Sequence, residues 1–193
     1  MSKALFIVDV QNDFTEGGAL GVDGGDAVAE GVTRYLEAHA GEYAVIVASR
    51  DWHDPDNDNG GHFADGEPDF VGTWPVHCVA GTAGAEYDEG FVTDAVTHHV
   101  HKGQGKPAYS LFEGVTDEGD TVAHLLEAHG VLDVDIVGIA TDYCVRASAL
   151  DAIEHGRRVR ILTDLVAGVA AESSEATLVE LAHAGAVLAE SGV

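Results

Sequence analysis

Residues 134–156 read VDIVGIATDYCVRASALDAIEHG. Residues 134–139 are an apolar run of strand length, and residues 144–155 carry helical spacing that Gly156 stops. A strand that turns directly into a helix is the building unit of a parallel sheet, because parallel neighbours need a crossover connection. Working outward, the same unit recurs. Strands are expected at residues 5–10, 43–49, 96–101, 158–163 and 186–188. Helices are expected at residues 26–40, 121–129 and 173–184. The first of these places Val28, Val32, Tyr35 and Leu36 on one face, with Asp26 as its cap. Gly130 ends the second. A polar stretch at residues 50–90 holds Gly, Asp, His and all but one of the prolines. No repeat or linker interrupts the pattern. The expectation is one α/β domain over residues 1–193, a mostly parallel sheet covered on both faces.

The composition narrows the partners. Hydrophobic residues make up 46% and charged residues 22%, which suits a folded chain. Asp and Glu total 34 against 9 Lys and Arg, a formal charge of -25. Such a surface repels nucleic acid and anionic membranes, so neither is an expected partner. It also suits a saline cytoplasm, where salt screens the repulsion. Every apolar run is shorter than a membrane span. Asp9 lies inside the first apolar run and no small-residue cleavage site follows, so no signal peptide is expected. Two cysteines, Cys78 and Cys144, do not make a disulfide framework, and a cytoplasmic protein is expected.

In parallel α/β sheets, ligands bind at the carboxyl ends of the strands. Asp9, Asp51 with His53, Lys102 and Cys144 all fall there. Asp9 reads either as a general base or as a strand-end carboxylate that binds loop amides. Cys144, between strand and helix, reads either as a nucleophile whose thiolate the helix end favours or as a buried structural cysteine. Lys102 could lower that thiol's pKa or be a solvated strand end; Cys78 reads as a packing residue. Asp51, His53, His62 and His77 offer the oxygen and nitrogen donors that suit zinc, iron or manganese, although eleven histidines make chance proximity common. His98, His99 and His101 read as an ordinary strand. Gly105-Lys106-Pro107 lacks phosphate-loop spacing, and neither G-x-G-x-x-G after a strand nor G-x-S-x-G occurs.

Six blocks in order carry a resemblance: IVDVQNDF at 7–14, RDWH at 50–53, GHF at 61–63, WPVHCV at 74–79, YSLFEG at 109–114 and GIATDYCVR at 138–146. Together they resemble the isochorismatase-like cysteine hydrolases, and WPVHCV favours those that hydrolyse nicotinamide to nicotinic acid and ammonia for NAD salvage. The resemblance implies a three-layer α/β/α sandwich around a six-stranded parallel sheet. It implies a triad of Asp9, Lys102 and Cys144, and an oxyanion hole from the backbone N–H groups of Ala140 and Cys144, entered through a cis peptide at Ile139–Ala140. Asp51, His53 and His77 would hold one divalent transition metal ion (zinc, iron or manganese), with His62 as fourth ligand. That ion would orient the pyridine nitrogen, and Phe14, Trp74 and Tyr109 would wall the ring. Eight residues separate His53 from His62, a longer and more acidic gap than the family pattern. Tyr143 precedes the nucleophile where relatives vary. The alternative substrate is another small amide, such as an N-carbamoyl compound. The expected partner is the small-molecule substrate, and homo-oligomerisation is compatible with this reading.

Overall fold

The computed structural model describes residues 2–193. Six strands form one sheet: β1 Ser2–Val8, β2 Val45–Asp51, β3 His98–Lys102, β4 Val131–Ile139, β5 Arg158–Ala167 and β6 Val187–Ala189. Their order is β3-β2-β1-β4-β5-β6, and every pairing is parallel. All strand carboxyl ends therefore point to one edge. Four helices cover the faces: α1 Gly25–His39, α2 Val122–Ala128, α3 Arg146–Glu154 and α4 Ala171–Ala184.

Strand periodicity sorts the core into two layers. Leu5 and Ile7 of β1 pack with Val28, Val32 and Leu36 of α1. Ala4, Phe6 and Val8, pointing the other way, pack with Leu126 of α2, Ala149 and Ala152 of α3 and Leu181 of α4. The result is the expected three-layer sandwich. No helix among the described residues is long and apolar enough to cross a membrane.

Three local expectations are corrected. Asp26 does not cap α1; Gly24 holds the cap position at φ 88, and the remote Glu16 carboxylate accepts from the N–H groups of Gly24 (2.7 Å) and Asp26 (2.6 Å). The strand expected at 5–10 ends at Val8, because Asp9 turns the chain at φ 48. The helix expected from Cys144 begins at Arg146, preceded by one wide turn over Thr141–Val145.

One buried charged group lies in the middle of the sheet, away from the carboxyl edge. Asp135 of β4 is buried, and its carboxylate meets Lys3 Nζ of β1 (2.8 Å), the Arg160 guanidinium of β5 (Nε at 2.9 Å) and the Tyr43 hydroxyl (2.6 Å). A buried carboxylate is tolerated when its lone pairs are filled in this way.

Candidate active site

Four neighbouring strands deliver four chemical groups to one edge. Lys102 closes β3, Asp51 closes β2, Asp9 follows β1, and Cys144 sits in the wide turn after β4. All four are buried. Lys102 Nζ lies 2.9 Å from Asp9 Oδ2 and 3.7 Å from Cys144 Sγ, and contacts Asp51 Oδ1. The Ser49 hydroxyl donates to Asp9 Oδ1 at 2.7 Å. Asp9 Oδ2 meets Lys102 as an ion pair but makes no aligned hydrogen bond among the described residues, so it retains a free acceptor position.

Electrostatics in this cluster are set by burial first. Burial pushes the Cys144 thiol well above its usual range, and the Lys102 charge offsets only part of that. The expected lowering of the thiol by Lys102 is present, but desolvation exceeds it and the net shift is upward. Burial also raises the Asp9 carboxyl against the pull of Lys102. Burial disfavours the Lys102 ammonium, yet the Asp51 and Asp9 carboxylates outweigh it and hold the charge.

Beside the cluster stand three imidazoles. The ligand nitrogens of His53, His62 and His77 lie within 4.8 Å of one another. Asp51 Oδ2 is 3.7 Å from His53 Nε2 and 3.8 Å from His77 Nε2. Asp51 therefore faces two ways, one oxygen toward Lys102 and the other toward the histidines. His53 Nδ1 donates to the Gly103 carbonyl (2.9 Å) and His77 Nδ1 to the Pro75 carbonyl (2.7 Å), which leaves each Nε2 as a free lone pair. His53 Nε2 and His62 Nδ1 are buried without a hydrogen-bond partner among the described residues. Buried orphan nitrogens of this kind are costly unless something fills them. Burial and the neighbouring histidines bring the His62 pKa down to about 4, so its ring is neutral as a metal ligand must be. The donor set fits a divalent transition metal ion.

Cys144 and Asp51 from the first group, with His62 and His77 from the second, line one cavity of about 290 Å³. Phe14, Trp74 and Tyr109 line it, as expected, and so does Tyr143. Trp74 Nε1 donates to the Tyr109 hydroxyl (3.0 Å), and its ring meets Tyr143 edge-on at 5.0 Å. Phe70 and Val169 complete the rim. The Ile139–Ala140 peptide is cis, and the Ala140 carbonyl accepts from the N–H groups of Tyr143 and Val145, both at 3.1 Å. Several supporting residues escaped the sequence reading. Gln11 clamps the backbone of Asp51, donating to its carbonyl (2.9 Å) and accepting from its N–H (2.8 Å). Asp13 accepts from the Cys78 N–H at 2.6 Å and so fixes the segment that carries His77. Asp142 accepts from the N–H groups of Val169 (3.0 Å) and Ala170 (3.3 Å), tying the turn that carries Cys144 to the start of α4. The only signal for Gln11 and Asp13 was their place in the block after β1.

The chain matches an isochorismatase domain over residues 3–192. It belongs to the isochorismatase family. Within that family it is 47% identical over 186 residues to a nicotinamidase/pyrazinamidase of Mycobacterium tuberculosis, covering 96% of this chain and 97% of that protein. A pyrazinamidase of Pyrococcus horikoshii, solved in complex with zinc, is 41% identical with a TM-score of 0.83, covering 98% of this chain and 99% of that one. A protein of L. infantum, solved in complex with nicotinate, is 36% identical with a TM-score of 0.83, covering 98% of this chain and 93% of that one. In this isochorismatase-family chain Gly103 has a specific task. At φ 87 it brings its backbone against the imidazole, so that a Cβ would stand 2.7 Å from His53 Cε1.

Proposed function

We propose that this chain is a cysteine amidohydrolase that converts nicotinamide to nicotinic acid and ammonia, and serves NAD salvage. The observation that carries the proposal is the convergence of the Asp9–Lys102–Cys144 cluster and the Asp51–His53–His62–His77 donors on one aromatic cavity. Relatives named for nicotinamide and pyrazinamide hydrolysis, one bound to zinc and another to nicotinate, support it.

The resting nucleophile is a neutral thiol, since burial raises it. Asp9 takes its proton through the free Oδ2 as Cys144 attacks the amide carbonyl, and Lys102 stabilises the thiolate. The backbone N–H groups of Ala140 and Cys144 receive the developing oxyanion, each such donor being worth roughly 3 kcal/mol. Asp9 returns the proton to the departing ammonia. It then removes a proton from the water that attacks the thioester, and passes that proton to the Cys144 sulfur as the C–S bond breaks and nicotinic acid leaves. Asp51, His53, His62 and His77 would hold the divalent metal ion, zinc, iron or manganese, which supplies a Lewis-acid position for the ring nitrogen. Phe14, Trp74, Tyr109 and Tyr143 flank the ring and restrict its orientation, so the carboxamide is held at Cys144.

The test is ammonia release from nicotinamide by metal-loaded and chelator-treated protein. Turnover by the loaded protein is expected, with KM raised once the metal is removed. No ammonia from nicotinamide, with release from an N-carbamoyl amide, would assign the site to the other substrate class. Normal KM and kcat in metal-free protein would remove the orienting role of the ion. A narrower test addresses the ligand geometry. Gly103→Ala should weaken Zn²⁺ binding by roughly tenfold to a hundredfold through the displaced His53 ring, measured against a chromophoric chelator. Unchanged affinity would mean that the Gly103 contact does not hold that ring.

The charge of -25 supports a cytoplasmic enzyme of a salt-accumulating cell, with a small-molecule substrate and neither nucleic acid nor membrane as partner. Repulsion between surface carboxylates reaches about 30 Å at low salt and about 3 Å near 1 M. The melting temperature should therefore rise between low and molar KCl at fixed pH and saturating metal. A flat or falling value would rule out salt adaptation.

A further inference from the structure

The gap between His53 and His62 contains eight residues, and one of them, Asn59, is fully buried in the left-handed region at φ 50. Its Oδ1 accepts from the N–H groups of Asp54 (2.9 Å) and Gly105 (3.1 Å). Its Nδ2 donates to the carbonyls of Asp54 (3.1 Å) and Asn57 (3.3 Å). A side-chain amide offers two acceptor positions and two donors, so all four are used.

The partners matter more than their number. Asp54 directly follows His53. Gly105 belongs to the turn after Lys102, the same turn whose Gly103 carbonyl orients the His53 ring. The backbone of Asn59 leads into the other histidine: its carbonyl accepts from the His62 N–H at 3.4 Å, and the Asp58 carbonyl accepts from the Phe63 N–H at 2.9 Å. A long polar gap would otherwise leave His62 on a loose tether, and ordering that tether on binding would cost conformational entropy. Asn suits the position because it tolerates the left-handed backbone and carries both donors and acceptors.

We infer that Asn59 is a positioning residue for the metal site, holding His62 beside His53 by fastening their shared loop to the turn after Lys102. The inference rests on the metal-binding reading above. It touches no substrate, so its signature belongs in metal affinity.

The test uses Zn²⁺ as probe on the full chain, with dissociation constants from chelator competition and melting of the metal-free protein alongside. Asn59→Gly keeps the backbone freedom and deletes all four bonds. It should bind Zn²⁺ roughly tenfold to a hundredfold more weakly. Combined with His62→Ala, it should bind no more weakly than His62→Ala alone, because Asn59 acts through that ligand. A purely structural role would instead lower the metal-free melting temperature, leave Zn²⁺ affinity within twofold of the parent, and make the two substitutions additive; any of these affinity results overturns the inference. Should Asn59→Gly not fold, Asn59→Asp keeps both accepted bonds and loses both donated ones, and a smaller loss of affinity is expected; parental affinity there overturns the inference too. A parent chain that binds no Zn²⁺ overturns the metal reading itself, a result distinct from variants that bind as the parent does.

Discussion

Cys144→Ala is expected to reduce nicotinamide turnover by about 10⁴-fold or more while leaving the fold and the metal content intact. Among the described residues the Cys144 thiol is the one sulfur that lines the cavity, so no neighbouring thiol can substitute for it. Loss of the sulfur should disturb little else. Burial already disfavours the thiolate, and Asp9 keeps its contacts with Ser49 and Lys102. Cys144→Ser should be nearly as inactive, because a hydroxyl is a far weaker nucleophile near neutral pH. Ammonia release, thermal melting and bound metal per chain together make the check. Substantial activity in purified Cys144→Ala would end the assignment of the nucleophile.

Lys102→Met is expected to destabilise the metal-free protein by about 3–5 kcal/mol, the scale for removing one partner from a buried ion cluster. Lys102 is the cation between two buried carboxylates, Asp9 and Asp51. Without it the two acids repel each other in a region of low dielectric. Added Zn²⁺ should recover part of the loss, since a cation among the histidines neutralises Asp51 from its other side. The deficit should also shrink as pH falls. A carboxyl whose folded pKa lies above its unfolded value is penalised at high pH and relieved once protonated. Denaturant titrations with and without Zn²⁺ across pH would check this. A variant within about 1 kcal/mol of the parent throughout would mean that Lys102 does not neutralise the pair.

The sequence disclosed the alternation of strands and helices because both faces of the sheet demand apolar residues at regular spacing. The ends of the elements were less legible. Asp9 and Val10 extend an apolar run that the backbone has already left, and Ser2 and Lys3 look like a polar leader although they pair with β4. The cap of α1 was misread because the group that fills it, Glu16, is distant in sequence. At the site, the strand-end rule and the quoted blocks singled out Asp9, Lys102, Cys144, Asp51 and the histidines that the fold gathers, and three of the aromatic residues that line the cavity. They did not reveal that Asp51 touches Lys102, which depends on β2 and β3 being neighbours. Nor did they reveal Ser49, Gln11, Asp13 or Asn59. Such polar residues carry no periodicity, and each has a partner distant in the chain that only the fold brings close.

The buried Asp135 cluster has a consequence for alignment. Leu5 of β1 stands opposite Asp135 of β4, and the pairing continues in step to Val8 opposite Gly138. Asp9 comes directly after Val8, as Ile139 comes directly after Gly138 at the entrance to the turn that carries Cys144. Lys3 and Arg160 grip Asp135 from the strands on either side, Lys3 reaching along the sheet from its own place opposite Asp133. A slip of one residue would turn Asp135 to the opposite face. A slip of two would keep the face but shift Asp9 along the sheet by about 6.6 Å, far beyond proton-transfer range of the thiol. The buried acid thus helps mesh the three strands in the alignment that brings Asp9 and the Cys144 turn to one edge of the sheet.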